Sequence, residues 1–472
     1  MTPNTKALNK AHSLRATKPF DDMSLTGHVR ATLKLGLPLM GAHLASMAIG
    51  VTDTVMIGWL GATELAAAVL ATQLYFFLWI VGAGISFAVI PLASSALGAG
   101  NERGVRRSVR MGLWLITLYA AVAMIPLWLT TDILTALGQN PEVIILSGQY
   151  MSVAIWAFYP ALLIVGLRAF LMSLECASFI FWSTVAGAFL NGIFNYIFIF
   201  GNFGAPRLGV VGAAYATLGA NLFLLAIMIG YILIRKHTRT FDIFTRIWRP
   251  DWEAFFEILR LGWPISAGLL AESGLFLAAA IMMGWLGTVA LAAHGIATQL
   301  LAVAFMVPLG LANAVTVRVG VAYGRADRLA LGRAGYAALG VVTCMSICIA
   351  LLYIVVPEGL ISLFLDMDNA SSVEVLYYAV PLLIIASIFH LFDGLQVVAL
   401  GVLRGLKDTR VPMYIAVFSY WLIGVPIAYL LGFTFNLGGA GIWTGLAVGL
   451  VVAAGALLYR FMRRDQLDLL PD

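Results

Sequence analysis

The chain is divided at near-regular intervals by apolar runs of about 20 residues, the length an α-helix needs to cross a hydrocarbon core of roughly 30 Å. Twelve runs can be marked, approximately 33–56, 65–92, 109–130, 146–171, 178–200, 210–234, 257–283, 288–316, 334–356, 375–403, 411–432 and 438–460. With 61% of its 472 residues hydrophobic, 11% charged and a mean hydropathy of +0.95, the chain lies outside the soluble range. In lipid each run must satisfy its own backbone groups, which calls for helices. The expected fold class is an all-α polytopic membrane protein with twelve transmembrane helices.

The formal charge of +5 could suggest nucleic acid, but the basic residues sit in short stretches between apolar runs. Arg103, Arg106, Arg107 and Arg110 follow run 2, and Arg168 ends run 4. Arg235, Lys236, Arg239, Arg246 and Arg249 fill the middle loop. Arg318, Arg325, Arg328 and Arg333 follow run 8; Arg404, Lys407 and Arg410 follow run 10; Arg460, Arg463 and Arg464 follow run 12. All fall on one side, with Lys6, Lys10, Arg15 and Lys18 of the polar N-terminus. The opposite loops carry Asp132, Glu142, Glu358, Asp366 and Asp368, and Arg207 is the exception. By the positive-inside rule both termini are expected in the cytoplasm, with no nucleic-acid partner. The first apolar run is too long for a cleaved signal peptide. Cys176, Cys344 and Cys348 form neither a disulfide framework nor a metal-ligand pair.

Runs 1–2 and 7–8 are copies of one another. GWLG, LAA and ATQL between Leu35 and Leu74 recur between Leu261 and Leu300, with LGLP answered by LGWP, at a constant separation of 226 residues, which pairs Pro38 with Pro264, Trp59 with Trp285 and Gln73 with Gln299. Leu208-Gly209…Gly212 likewise recurs as Leu437-Gly438…Gly441. Six spans per copy make the repeats parallel, related by an axis along the membrane normal. The expected organisation is a tail at 1–32, an N-lobe six-helix bundle at 33–234, a loop at 235–256, a C-lobe bundle at 257–460 and a tail at 461–472. A cleft between two such bundles is a transporter plan.

Three acids stand inside the apolar runs: Asp53, Glu272 and Asp393. Each costs at least ~2.5–3.5 kcal/mol near the bilayer centre unless it is solvated, paired or protonated. No Lys or Arg is expected at matching depth, so the partner they await is mobile: a proton, Na⁺ or a cationic substrate. Glu272 falls opposite Ser46 in the repeat, and Asp53 opposite Ala279. Asn191 and Asn195, one turn apart, could join Asp53 in an oxygen-rich site for Na⁺ or a proton relay. His294, Gln299 and His390, the last three residues before Asp393, are further polar candidates. For each of these the alternative is an interhelical hydrogen bond.

Taken in order, LGLP…VTDTVMIGWLG with Asp53, NGIFNYIFIFGNFGAPRLGVVGAA with Asn191 and Asn195, LGWP…AESGLF with Glu272, AAHGIATQ with His294 and FDGLQVVALGVLRGLKDTR with Asp393 resemble the multidrug and toxic compound extrusion (MATE) transporter family, in its bacterial NorM-like branch. The resemblance covers nearly the whole chain. It implies N and C lobes around a cleft and export of amphipathic, mostly cationic compounds against inward Na⁺ or H⁺ by rocker-switch alternating access. It also implies that Glu272 and Asp393 form the C-lobe cation site, possible for Na⁺, and that Asp53, Asn191 and Asn195 form the N-lobe cluster. Phe389 stands where some Na⁺-coupled relatives carry a tyrosine; its ring face remains a cation–π candidate, without the hydroxyl ligand. The expected setting is the bacterial inner membrane, with lipid and small organic cations as partners, no cofactor beyond the coupling ion, and a monomer as the working unit. A flippase for lipid-linked or polysaccharide precursors is the alternative, though it would need a basic cleft. An intramembrane aspartyl protease using Asp53 and Asp393 is disfavoured because Phe392 and Leu391 precede Asp393 where a GxGD motif is needed.

Overall fold

A computed structural model describes residues 23–365 and 370–471. Lys6, Lys10, Arg15 and Lys18 of the expected tail, and Asp366 and Asp368, lie outside the described residues. Among those described, twelve helices are long and apolar enough to span a membrane. They are α1 (Leu25–Gly58), α2 (Ala62–Gly98), α3 (Glu102–Trp128), α4 (Pro141–Ser173), α5 (Ala177–Phe200), α6 (Val210–Ile234), α7 (Trp252–Leu286), α8 (Thr288–Gly324), α9 (Arg328–Val355), α10 (Ala370–Gly405), α11 (Arg410–Thr434) and α12 (Gly438–Met462).

Their starts follow local chemistry. Ser24, Asn101, Asp251 and Asp327 each accept a hydrogen bond from the backbone N–H three residues on, and Asn140 accepts from Glu142 ahead of Pro141; these are N-caps that satisfy otherwise orphaned donors. α11 departs from regular geometry: Phe418–Gly424 and Leu430–Thr434 are π-helical on either side of Pro426. Such wide turns are rare and often mark functional positions.

The helices outrun the apolar stretches that predict them. α8 continues eight residues past its run, so Arg318, expected in a loop, lies inside it at 3% exposure and hydrogen-bonds His28 of α1 at 2.9 Å. Arg404 likewise lies past its run but within α10, while Arg168 lies within both run 4 and α4.

Five apolar clusters show how the halves sit. One draws only on residues 271–453, and another only on residues 56–214, so the ends of the lobes away from residues 235–251 have separate cores. The other three mix the halves: Ala314 and Val317 join N-lobe residues, Met40 joins C-lobe residues, and Ile258 and Ile265 pack with Ile85 and Leu92. Polar bonds follow the same seam. Ser266 donates to the Val81 carbonyl at 2.7 Å, Asn313 meets His43 at 3.0 Å, and Arg333 donates to the Met23 carbonyl at 3.3 Å. The lobes are joined at the end bearing the connecting loop and part at the other.

That loop is folded against α3. Arg106 donates to the Phe241 carbonyl at 2.6 Å, Arg110 to those of Ile243 and Thr245, and the Trp114 indole to Ile247 at 2.6 Å. Arg107 forms ion pairs with Asp251 at 2.5 Å and Glu253 at 3.0 Å. The first of these bonds holds the Asp251 carboxyl below the usual carboxylate range.

Candidate functional site

In the N lobe, α1, α5 and α6 converge on Asp53. Asn195 donates through Nδ2 to Asp53 Oδ1 at 2.5 Å, and Thr217 donates through Oγ1 to Oδ2 at 3.0 Å. Asn195 also donates to Asn191 Oδ1 at 3.2 Å. Both asparagines are fully buried, and Asn195 Oδ1 and Asn191 Nδ2 are left without partners among the described residues. The arrangement supplies two carboxylate oxygens and an idle amide oxygen, a set of hard ligands suited to a proton or an alkali cation. Thr217 was not singled out by its sequence; a lone threonine in an apolar run gives no signal until α6 is seen to pass beside Asp53.

In the C lobe, α7, α10 and α11 converge on Glu272 and Asp393. Asp393 is 4% exposed and close enough to Glu272 for the two carboxylates to repel one another. Asp393, Gln396, Leu400 and Arg404 follow one another at helical spacing along α10. Glu272, Gln396, Arg404 and Tyr420 line a common cavity of about 20 Å³, room for about one water. Gln396 hydrogen-bonds the Tyr420 hydroxyl, and Trp421 Nε1 donates to the Ala271 carbonyl at 3.2 Å. Both rings come from the first π-helical stretch of α11, whose extra residue per turn re-aims side chains that a regular helix would place elsewhere.

Arg404 corrects the expectation that no fixed cation shares the acids' depth. It sits near the loop end of α10, but side chains on a helix lean toward its N-terminus, which here points back along the bundle toward Glu272. The long guanidinium arm therefore reaches the cavity from a backbone position that a linear reading assigns to the loop. It does not close an ion pair there: among the described residues the pairs within 4.0 Å are those of Arg107 and that of Arg460 with Asp408.

The remaining candidates are placed as follows. His294 is 4% exposed, edge-on to Trp443 at 5.6 Å, with Nδ1 unpartnered among the described residues. His390 is fully buried near Tyr353, with neither ring nitrogen hydrogen-bonded among the described residues. Phe389 is buried between Phe276 and Trp443 at centroid distances of 5.8 and 6.0 Å. Gln299 is partly exposed on α8. A wider cavity of about 350 Å³ lies elsewhere, under the connecting loop, between Trp114, Tyr159, Ile229 and Trp248.

The whole arrangement has counterparts. The MatE family profile matches residues 38–197 and 264–430, one block in each half. A protein named "Probable multidrug resistance protein NorM" from Rhizobium meliloti (strain 1021) is 46% identical over 95% of this chain and 97% of its own. Among solved structures, an outward-facing conformation of a multidrug resistance MATE family transporter of the MOP superfamily superposes with a TM-score of 0.85 at 22% identity, over 93% of this chain and 97% of that one. The eukaryotic MATE transporter AtDTX14 superposes with a TM-score of 0.82 at 20% identity, over 94% and 100%. Twelve spanning helices in two lobes, matched in both halves by one family profile, identify the chain as a multi-pass membrane transporter belonging to the MatE family.

Proposed function

We propose that the protein is a multidrug antiporter that exports amphipathic, mostly cationic compounds in exchange for inward H⁺ or Na⁺. The observation that carries this reading is the pair of acid clusters, half-buried at Asp53 and Glu272 and buried at Asp393, one per lobe, in a molecule whose lobes join at one end only. A carboxylate withdrawn from water needs a cation, and an antiporter supplies two in alternation, the substrate and the coupling ion. When H⁺ or Na⁺ reaches Glu272 and Asp393, or Asp53 with Asn191 and Asn195, it cancels the charge that holds an organic cation. His294 and Gln299 of α8 serve as supporting polar groups, and the ring face of Phe389 is the cation–π candidate. The inward ion gains about 2.3 kcal/mol per charge per 100 mV of membrane potential, besides its concentration gradient.

The joined end carries the arginine-rich loops and is read as cytoplasmic, with both termini there, in a bacterial inner membrane. The conformation is then open to the outside, and one chain suffices for the cycle. The test is ethidium efflux from proteoliposomes under an imposed ΔpH or Na⁺ gradient, each applied alone. Glu272→Gln and Asp393→Asn are expected to lose gradient-driven efflux by at least tenfold. A Glu272→Gln protein, inserted at normal level, that exports ethidium at the wild-type rate would refute the reading.

A further inference from the structure

We propose that Arg404 is a built-in counter-charge of the C-lobe site, a residue that sets the site to take one monovalent cation instead of two. The inference rests on the reading of Glu272 and Asp393 as the coupling acids. Glu272 and Arg404 line one cavity, and Asp393, buried about three turns before Arg404 on α10, is within electrostatic reach of Glu272. Tyr420 from α11 lines the same cavity as Glu272 and Arg404. With both acids ionised and Arg404 charged, the group carries one net negative charge. A single guest of charge +1 completes it, and the cavity of about 20 Å³ has room for a single guest. Without Arg404 the same acids would present two negative charges and call for two cations.

The N lobe shows the same device with a different partner. Arg168 of α4, the counterpart of α10 in the repeat, reaches Thr184 Oγ1 at 2.9 Å and Ser46 Oγ at 3.4 Å. Ser46 is the position 226 residues before Glu272. Both α4 and α10 end in the same way, on a residue of positive φ, Glu175 and Lys407; counted from those ends, the two arginines lie one helical turn apart on one face. An arginine reaching from the fourth helix of a lobe toward the middle of the first is thus a shared plan. In the N lobe hydroxyls hold it; in the C lobe it lines a cavity together with the carboxylate of Glu272. Its role is to position charge, and it carries no substrate itself.

The experiment counts ions on purified full-length protein in detergent, by ²²Na⁺ binding at equilibrium and by proton uptake after an acid jump reported by a pH dye. The ion that the wild type binds is then followed in the variants. Arg404→Gln is expected to bind one more cation per chain than the wild type, Glu272→Gln one fewer, and Glu272→Gln/Arg404→Gln the same number; Arg404→Lys retains the wild-type count. Thermal unfolding of each variant checks folding, and if Arg404→Gln alone does not fold, the double variant decides. An unchanged count in Arg404→Gln, or a double variant that stays at the count of Glu272→Gln, overturns the inference. An unchanged count in Glu272→Gln instead removes the site assignment beneath it.

Discussion

The seam that joins the lobes contains a contact tight enough to be jammed by one methyl group. Gly98 at the end of α2 and Gly324 at the end of α8 bring backbones of opposite lobes together. A Cβ at Gly324 would stand 1.9 Å from the Ser95 carbonyl oxygen and 2.9 Å from the Ala99 nitrogen; one at Gly98 would stand 2.1 Å from the Val321 carbonyl oxygen. Ordinary contact begins near 3.4 Å, so the helices must separate by about 1.5 Å, and no rotamer change relieves a clash with backbone. Overpacking of this kind costs about 1–3 kcal/mol. In alternating access that cost falls on one state only, because the opposite state parts the lobes at this end. Gly324→Ala should therefore move the balance between the two states by roughly 5–150-fold. Spin labels at Arg103 and Leu329, exposed at the joined end on either side of the seam, in a background without Cys176, Cys344 and Cys348, would read this by double electron–electron resonance. The expected result is a longer distance gaining population at the expense of the short one, with a slower ethidium cycle. Identical distance distributions in wild type and Gly324→Ala would refute both the seam's role and the two-state description.

Other consequences can be checked separately. Thr217→Val removes one donor to Asp53, and a hydrogen bond to a charged group is worth about 1.5–3 kcal/mol; efflux driven through the N-lobe cluster should fall about tenfold or more, and Asn195→Ala, which removes the shorter bond, should fall further. A Thr217→Val transporter with wild-type efflux would take Thr217 out of the site. The Arg107–Asp251 tie should respond to acid. Because the Asp251 pKa is depressed below its ordinary value of 3.8, its contribution is present above that value and disappears as pH falls through the depressed value. Trypsin cleavage at Arg246 and Arg249 should thus be slow at pH 7 in the wild type and faster in Arg107→Gln, whereas equal cleavage rates would show that the other α3 bonds hold the loop alone. Tyr420→Phe deletes the hydroxyl that Gln396 reaches and should lower thermal stability by about 0.5–1.5 kcal/mol, measured by unfolding in detergent.

Much of this molecule could be read from residue spacing. The twelve apolar runs correspond to twelve helices, and the separation of 226 residues anticipates a profile match in each half. Asp53 and Asn195, distant in sequence, meet as expected. What escaped the reading depends on the third dimension of a helix. Hydropathy ends at Thr316 while α8 runs on to Gly324, because arginines can continue a helix that protein, and not lipid, surrounds. Arg404 was assigned by its backbone position, yet its guanidinium acts several ångströms away. The π-helical turns of α11 leave no compositional trace, so the aim of Tyr420 and Trp421 could not be foreseen. His43 meeting Asn313 across the seam is a pairing between lobes, and repeats within a chain say nothing of how the copies touch.

The bonds that fasten Asp251 and Glu253 to Arg107 have a mechanical consequence. α7 is counted with the C lobe, and its residues from Ala271 to Met283 belong to that lobe's separate core, yet its first turns share a core with Met111 and Leu115. The helix is a strap sewn to both bodies. When the lobes swing, its two ends travel with different partners, and the strap must crease between them. Pro264, which cannot complete the helical hydrogen-bond ladder, marks the fold line, eight residues from Glu272. Motion of the lobes is thereby delivered, through one bent helix, to the backbone that carries the acid.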